Sequence, residues 1–358
     1  MSEVVSLILA GGVGSRFWPK SRANVPKQFL RLVGEKSMIQ NTADRLRRFT
    51  PDERIFVVTT QSQIQLLQSQ LPWLVPENVI VEPFGKNTAP CIALASLYIR
   101  RKYPQATCVV CPADHIVSDI DSFGRVIATG IAVVDDNPFA LVTIGIEPNY
   151  PATGYGYIQK GDSVADYQDP VYHVRTFAEK PHLEVAQKFL ATGEFFWNSG
   201  IFLWKVSSIL HYIEQFLPDL YDGMMKIDEE IDTLNEKGVT EVVYKQIYSQ
   251  SIDYGVMEKA SHVFMVKGDF GWNDLGSWAE VYKISPHDHS GNVIKGNVIA
   301  KGMRNSLIEG EKRIIAIIGV EDLVVVDTPD ALLICKKDQS QEVKWIVEKL
   351  KSQKKNVL

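Results

Sequence analysis

Five cations, Arg16, Lys20, Arg22, Lys27 and Arg31, stand between Glu3 and Glu35 with no acid among them, in a chain whose overall charge is −5. They are interleaved with Gly11, Gly12 and Gly14 in the segment GGVGSRFWPKSRANVPKQF, directly after the apolar run LILA. Glycines at such spacing let a backbone approach a ligand and turn its amides toward it, and phosphate is the natural guest. A dinucleotide fingerprint is excluded, because Phe17 occupies the third glycine position and the next apolar run ends in Thr59 and Thr60 without a ribose-binding acid. A Walker loop is excluded as well, since no GK followed by Ser or Thr is present in the segment. A plain glycine-rich surface turn would leave the cations unexplained, and no structural reason for them is evident at this level.

Further chemistry-bearing residues lie far downstream. Asp114 closes TCVVCPADH, at the carboxyl end of an expected parallel strand, where ligands gather in open α/β sheets; alone it could equally cap a helix. Asp274, in GWNDLG, could be an ordinary turn residue, as could Asn198 in NSG. Cys108 and Cys111 form a CxxC, but residues three apart on a strand face opposite sides, so the pair reads as core rather than metal or redox centre. His287, Asp288 and His289 resemble a metal cluster, yet SPHDHSG reads more simply as a polar linker between domains.

The elements that must position these residues follow from pattern. Apolar runs at 4–10, 54–60, 78–82, 107–111 and 139–146 alternate with helical stretches, which predicts an α/β fold with a doubly wound, mostly parallel sheet. Ser37 and Gln40 form a capping box ahead of Met38, Ile39, Thr42, Leu46 and Phe49, so a crossover helix is expected there. After Trp278 short β segments follow one another without helices, and 341–350 returns to a helical pattern before the lysine-rich end at Lys351, Lys354 and Lys355. The expected domains are 1–284 and a small C-terminal β domain, 285–358, ending in a helix.

Composition narrows the class. At 358 residues, 45% apolar and 23% charged, the chain is an ordinary globular protein with material for more than one domain. The net negative charge argues against coating nucleic acid or an anionic membrane. No stretch reaches the roughly 18 apolar residues of a membrane span, and the N-terminal apolar run lacks the flanks of a signal peptide. Four cysteines without an export signal point to free thiols in a reducing, cytoplasmic compartment.

The signature GGVGSRFWPKSRANVPKQF resembles that of the sugar-phosphate nucleotidyltransferases, and its FWPKSR and PKQF ends resemble the mannose-1-phosphate guanylyltransferases in particular. EPFGKNTAP, PADH, TGYGYI, FAEKP, FWNSGIF, DYGVMEK and GWNDLGSW follow collinearly, over about three quarters of the chain. The resemblance implies a Rossmann-like nucleotidyltransferase domain and, more weakly, a β-helical C-terminal domain, in a short monofunctional form. It implies that GTP and mannose 1-phosphate are the partners, with Mg²⁺ as cofactor held by Asp114 and Asp274, and it leaves room for a homodimer.

Arg16 and Lys27 would hold the triphosphate and steady the leaving pyrophosphate, while Lys180 would grip the sugar phosphate. Gly154, Glu179 and Asn198 would meet the sugar hydroxyls. Glu82 with Asn87, Thr88 and Ala89 would read the base, and Gly11, Gly12 and Gly14 would line the phosphates. Residue chemistry alone leaves other pairs open, such as dTTP or UTP with glucose 1-phosphate, or GTP with another manno-configured phosphate. It also leaves open a non-catalytic sensor of nucleotide sugars, against which the retained Arg16, Lys27, Asp114, Lys180 and Asp274 argue.

Overall fold

The computed structural model describes residues 3–12 and 14–353; Lys354 and Lys355 of the expected tail lie outside the described residues. Eleven strands build the first part: β1 Val4–Leu9, β2 Ile55–Thr60, β3 Val79–Glu82, β4 Thr107–Pro112, β5 Ile116–Val117, β6 Leu141–Ile146, β7 Gly156–Val164, β8 Val171–Glu179, β9 Phe195–Lys205, β10 Val263–Gly268 and β11 Trp272–Asn273. Nine of them form one sheet in the order β3-β2-β1-β4-β9-β6-β10-β8-β7, and β5 pairs with β11 alone.

The run of β1 to β4 is parallel, as the alternation of strands and helices predicts. Two strands run against the rest: β9 lies antiparallel between β4 and β6, and β8 lies antiparallel to β10 and β7. The apolar run of β9, FFWNSGIFLWK, reads as a strand but carries no mark of direction. The first crossover helix spans Met38–Leu46 and begins at the expected capping box, Ser37 with Gln40. One face of the sheet packs on a core holding Cys108, the other on a core holding Cys111, so the CxxC does point to opposite sides.

The C-terminal domain consists of β12 Val293–Lys295, β13 Val298–Lys301, β14 Leu307–Glu309, β15 Ile315–Ile318, β16 Leu323–Asp327 and β17 Leu332–Lys336, followed by a helix over Val343–Ser352. Its β12-β14-β16 and β13-β15 ladders are parallel and short, which is the stacking of a β-helix. A third core is shared between the two parts, with Phe17, Trp18, Leu32, Met38 and Trp278 against Val324, Val326, Val343 and Val347. Lys20 pairs with Glu309, and Arg22 with Asp330 at 2.8 Å. Two of the five early cations therefore have a structural role in docking the C-terminal domain, which the sequence reading did not foresee.

Candidate active site

The glycine-rich segment leaves β1 at the carboxyl end of the sheet and is stitched down at both ends. Gln28 donates to the Ala10 carbonyl at 2.9 Å, and Ala10 N to Val58 O at 2.9 Å. Gly14 sits at φ +66°, and a Cβ there would lie 2.2 Å from Lys27 Cβ, so glycine is required for the loop to fold back over Lys27. Gly11 lies against the Glu82 carboxylate, 3.5 Å from where its Cβ would be, and Gly12 faces open space. Arg16 is exposed in the turn Ser15–Phe17 and makes no ion pair among the described residues.

Lys27 is almost fully buried, and its Nζ donates to Asp114 Oδ2 at 2.8 Å and to the Asp274 carbonyl at 2.6 Å. The short β5–β11 ladder brings those acids together. It pairs Asn273 with Ile116, so the next residues outward, Asp274 and His115, face each other. Asp274 Oδ1 accepts from the Tyr155 hydroxyl at 2.6 Å. Burial would raise the Asp114 carboxyl, but Lys27, His115 and hydrogen bonds outweigh it and hold the group below its ordinary value.

His115 Nδ1 takes the Trp272 indole N–H at 3.2 Å, and burial pushes the imidazole down to about 4 despite the carboxylates nearby. It is a neutral orienting group rather than a strong base. Behind the turn, Arg45 donates to the His115 carbonyl at 3.1 Å, while its Nε and second Nη are buried with no hydrogen-bond partner among the described residues. Its only sequence signal is a charge on the buried stripe of an amphipathic helix.

A second cluster lies where β9 meets β6 and β7. Thr143 pairs with Phe202 and Gly145 with Asn198, so β9 carries extra residues across two of β6. This bulge, with Gly200 at φ +70°, leaves Asn198 paired with Gly145 at its edge and half-buried; NSG lies inside a strand and is not the plain turn that its composition suggests. Glu179 reaches the same place, since a Cβ on Gly156 would lie 2.5 Å from its Oε2 and 3.5 Å from Asn198 Cβ. Lys180 is exposed and paired with Glu179. Gly154 has no neighbour in front of it and lines open space. Asp253, which the sequence reading did not single out, accepts from Asn198 Nδ2 at 2.7 Å.

The third cluster is at the end of β3. Glu82 is 2% exposed, accepts from Tyr244 at 3.1 Å, and is pushed up to about 7 by burial, against hydrogen bonds from Tyr244 and Cys91. Asn87 adopts φ 72° and caps the helix Thr88–Lys102 through Thr88 N. Thr88 Oγ1 accepts from Ile252 N at 2.8 Å, and Ala89 N donates to Gln250 O at 3.0 Å. Segment 250–253 thereby ties the third cluster to the second, and Glu82 beside Gly11 ties it to the first. Trp18 and Trp278 pack in the shared core, and Asp288 of the HDH triplet is engaged by the amides of Ser290 and Asn292, both at 2.8 Å.

Residues 5–291 match the Nucleotidyl transferase family, and residues 296–350 match the MannoseP isomerase/GMP-like beta-helix domain. The chain is 40% identical over 357 residues to a mannose-1-phosphate guanylyltransferase of Escherichia coli (strain K12), covering 98% of this chain and 74% of that one. It is 38% identical to the mannose-1-phosphate guanylyltransferase ManC of Salmonella typhimurium, covering 98% and 74%. A crystal structure from Thermus thermophilus, described as a mannose-1-phosphate geranyltransferase, superposes with a TM-score of 0.86 at 30% identity, covering 98% and 99%.

Proposed function

Because the chain belongs to the nucleotidyl transferase family, we propose that it transfers GMP from GTP to α-D-mannose 1-phosphate, releasing pyrophosphate and GDP-mannose. The observation that supports this most directly is the meeting of Lys27, Asp114 and Asp274 around one ammonium, below a glycine-rich loop. The three segments are separated by 87 and 160 residues in sequence. The Asp114 carboxylate on Lys27 and the Asp274 carboxylate on Tyr155 are brought to one place by Lys27, which also holds the Asp274 carbonyl, and with a triphosphate to complete the oxygen set they form a donor group suited to Mg²⁺. Asp114 and Asp274 would hold it, and bound with the triphosphate it would neutralise phosphate charge as the reaction proceeds.

No protein base is required. The second ionisation of a phosphate monoester lies at about 6, so the sugar phosphate is anionic near neutral pH. One of its oxygens attacks the α-phosphorus in line, the bond from that phosphorus to the bridging oxygen breaks, and pyrophosphate leaves with the electron pair. The work of the protein is positioning and charge neutralisation. Lys27 must exchange Asp114 for a phosphate oxygen as the triphosphate arrives, and Arg16, exposed and without an ion pair among the described residues, can meet the same phosphates. Lys180 reaches the sugar phosphate only by leaving Glu179. Glu82 supplies two acceptor oxygens for the adjacent N–H groups of guanine, with the 87–89 helix start beside it.

The boundary at 284/285 and a cytoplasmic setting belong to the same proposal; no helix among the described residues is long and apolar enough to cross a membrane. The test is pyrophosphate release by the purified protein across four nucleoside triphosphates and several sugar 1-phosphates, with and without Mg²⁺. GTP with mannose 1-phosphate is expected to be fastest, and metal-dependent. Faster release with dTTP or UTP and glucose 1-phosphate would replace the substrate assignment, and no release with any pair would leave a sensor of the same fold.

A further inference from the structure

The hydrogen bonds around Asn198 leave it one function. Its amide oxygen already accepts from Thr143 Oγ1 at 3.0 Å and from Gly200 N at 3.2 Å, which fills both lone pairs. One N–H is given to Asp253 Oδ1, so a single N–H remains for a ligand. Asn198 can donate once and cannot accept. A sugar that offers vicinal hydroxyls needs acceptors as well, and those must come from neighbours.

Resting on the sugar assignment above, we infer that Asp253 is a further substrate-binding residue, whose carboxylate works with Glu179 as a pair of acceptors for the sugar hydroxyls on either side of Asn198. Asp253 opens the π-helical turn Asp253–Met257, a form of helix that is rare and recurs at functional sites. It is partly buried, and its Oδ2 meets no hydrogen-bond donor from another residue among the described ones. Burial and the nearby Glu179 carboxylate push the group up to about 6. The one cation acting on the pair among the described residues, Lys180, is exposed and held by Glu179, so Asp253 keeps an acceptor that no ion pair fills, and hydroxyl donors relieve it. The segment also delivers Ile252 N to Thr88, so a sugar seated here touches the chain that fixes the base-reading helix.

The rival reading is that Asp253 only orients Asn198, and Asp253→Asn separates the two. The new side-chain carbonyl still accepts the Asn198 N–H, while the negative charge and one acceptor are lost. We expect the KM for mannose 1-phosphate to rise on the order of tenfold to a hundredfold, the scale of a lost charged hydrogen bond, with the KM for GTP and the thermal midpoint unchanged. Asp253→Ala should behave no worse than about threefold beyond it, a factor worth less than one ordinary hydrogen bond.

Deoxy analogues of the sugar phosphate supply a second readout. At the hydroxyl that Asp253 takes, deoxygenation should cost the native protein about tenfold or more and Asp253→Asn little, a non-additive cycle. A wild-type sugar KM in Asp253→Asn alongside a large loss in Asp253→Ala, or additive behaviour at every hydroxyl, overturns the inference in favour of simple orientation. Absence of turnover by the native protein with any sugar phosphate would instead strike the parent assignment.

Discussion

Lys27 joins the Asp114 carboxylate to the Asp274 carbonyl, and that environment sets a competition that a ligand-free protein must resolve. A charge-assisted hydrogen bond contributes roughly 1.5–3 kcal/mol, so on the proposed assignment Lys27 and a free divalent ion would contend for Asp114, and a triphosphate would draw the ammonium away. Lys27→Met should therefore bind free Mn²⁺ about tenfold more tightly than the native protein, one step of about 1.4 kcal/mol, in a spin-resonance titration without nucleotide. Turnover should fall on the order of 10²- to 10³-fold, the usual scale for removing one group that meets transition-state charge. Unchanged Mn²⁺ affinity would show that Lys27 does not occupy the metal's place. Lys27, Asp114 and Asp274 are legible in sequence because each sits in a short motif with its own chemistry. Tyr155 and Asp253 lie in the quoted motifs TGYGYI and DYGVMEK and Arg45 in none, but the roles of all three are hidden, since a buried guanidinium, a phenol on Asp274 and a carboxylate on Asn198 gain meaning only from partners at least 55 residues away.

The loop and the β9 bulge act as elements, and both depend on backbone shapes that ordinary residues resist. At Gly14 a side chain would need φ +66° and would overlap Lys27 Cβ at 2.2 Å, a contact too close for any rotamer to relieve. Gly14→Ala is expected to leave the sheet intact, since neither large core includes Gly14, yet to displace Lys27 and raise the KM for triphosphate about tenfold or more, a loss comparable to one hydrogen bond. Circular dichroism with steady-state kinetics would read both, and a wild-type KM would mean that the loop tolerates a shift of Lys27. The glycines of the loop are visible in the sequence, where they read as a close approach to a ligand; the close approach at Gly14 is to Lys27. The reversed direction of β9 is not visible, because eleven mostly apolar residues satisfy a parallel and an antiparallel neighbour equally well. The bulge beside Asn198 is hidden for the same reason: its register depends on β6, a strand that precedes β9 in the chain and is separated from it by β7 and β8.

On the scale of the whole molecule, the C-terminal domain braces the phosphate loop from behind. Lys295 donates to the Leu32 carbonyl at 2.8 Å and Glu309 pairs with Lys20, while Trp278, on the last helix of the first domain, meets Phe17 edge-on with ring centroids 5.2 Å apart and donates to the Trp18 carbonyl at 3.2 Å. Val343 and Val347, on the final helix, enter that same shared core. Arg16 lies on the outer side of the very turn whose inner side is Phe17, so loosening the seam should be felt at the triphosphate before it is felt in the sheet. Val347→Asp places an unpaired carboxylate in the seam, at a cost of several kcal/mol if the helix stays docked. Undocking is cheaper, and the expected result is a separate, lower-temperature unfolding transition together with a several-fold higher KM for GTP and an unchanged KM for mannose 1-phosphate. A variant that shows the extra transition while keeping a native KM for GTP would establish the domain as a stabiliser alone. The contrast between the two substrates decides the matter, because Glu179 and Asn198, proposed to meet the sugar, lie outside the shared core, whereas the loop proposed to hold the triphosphate is built partly from it.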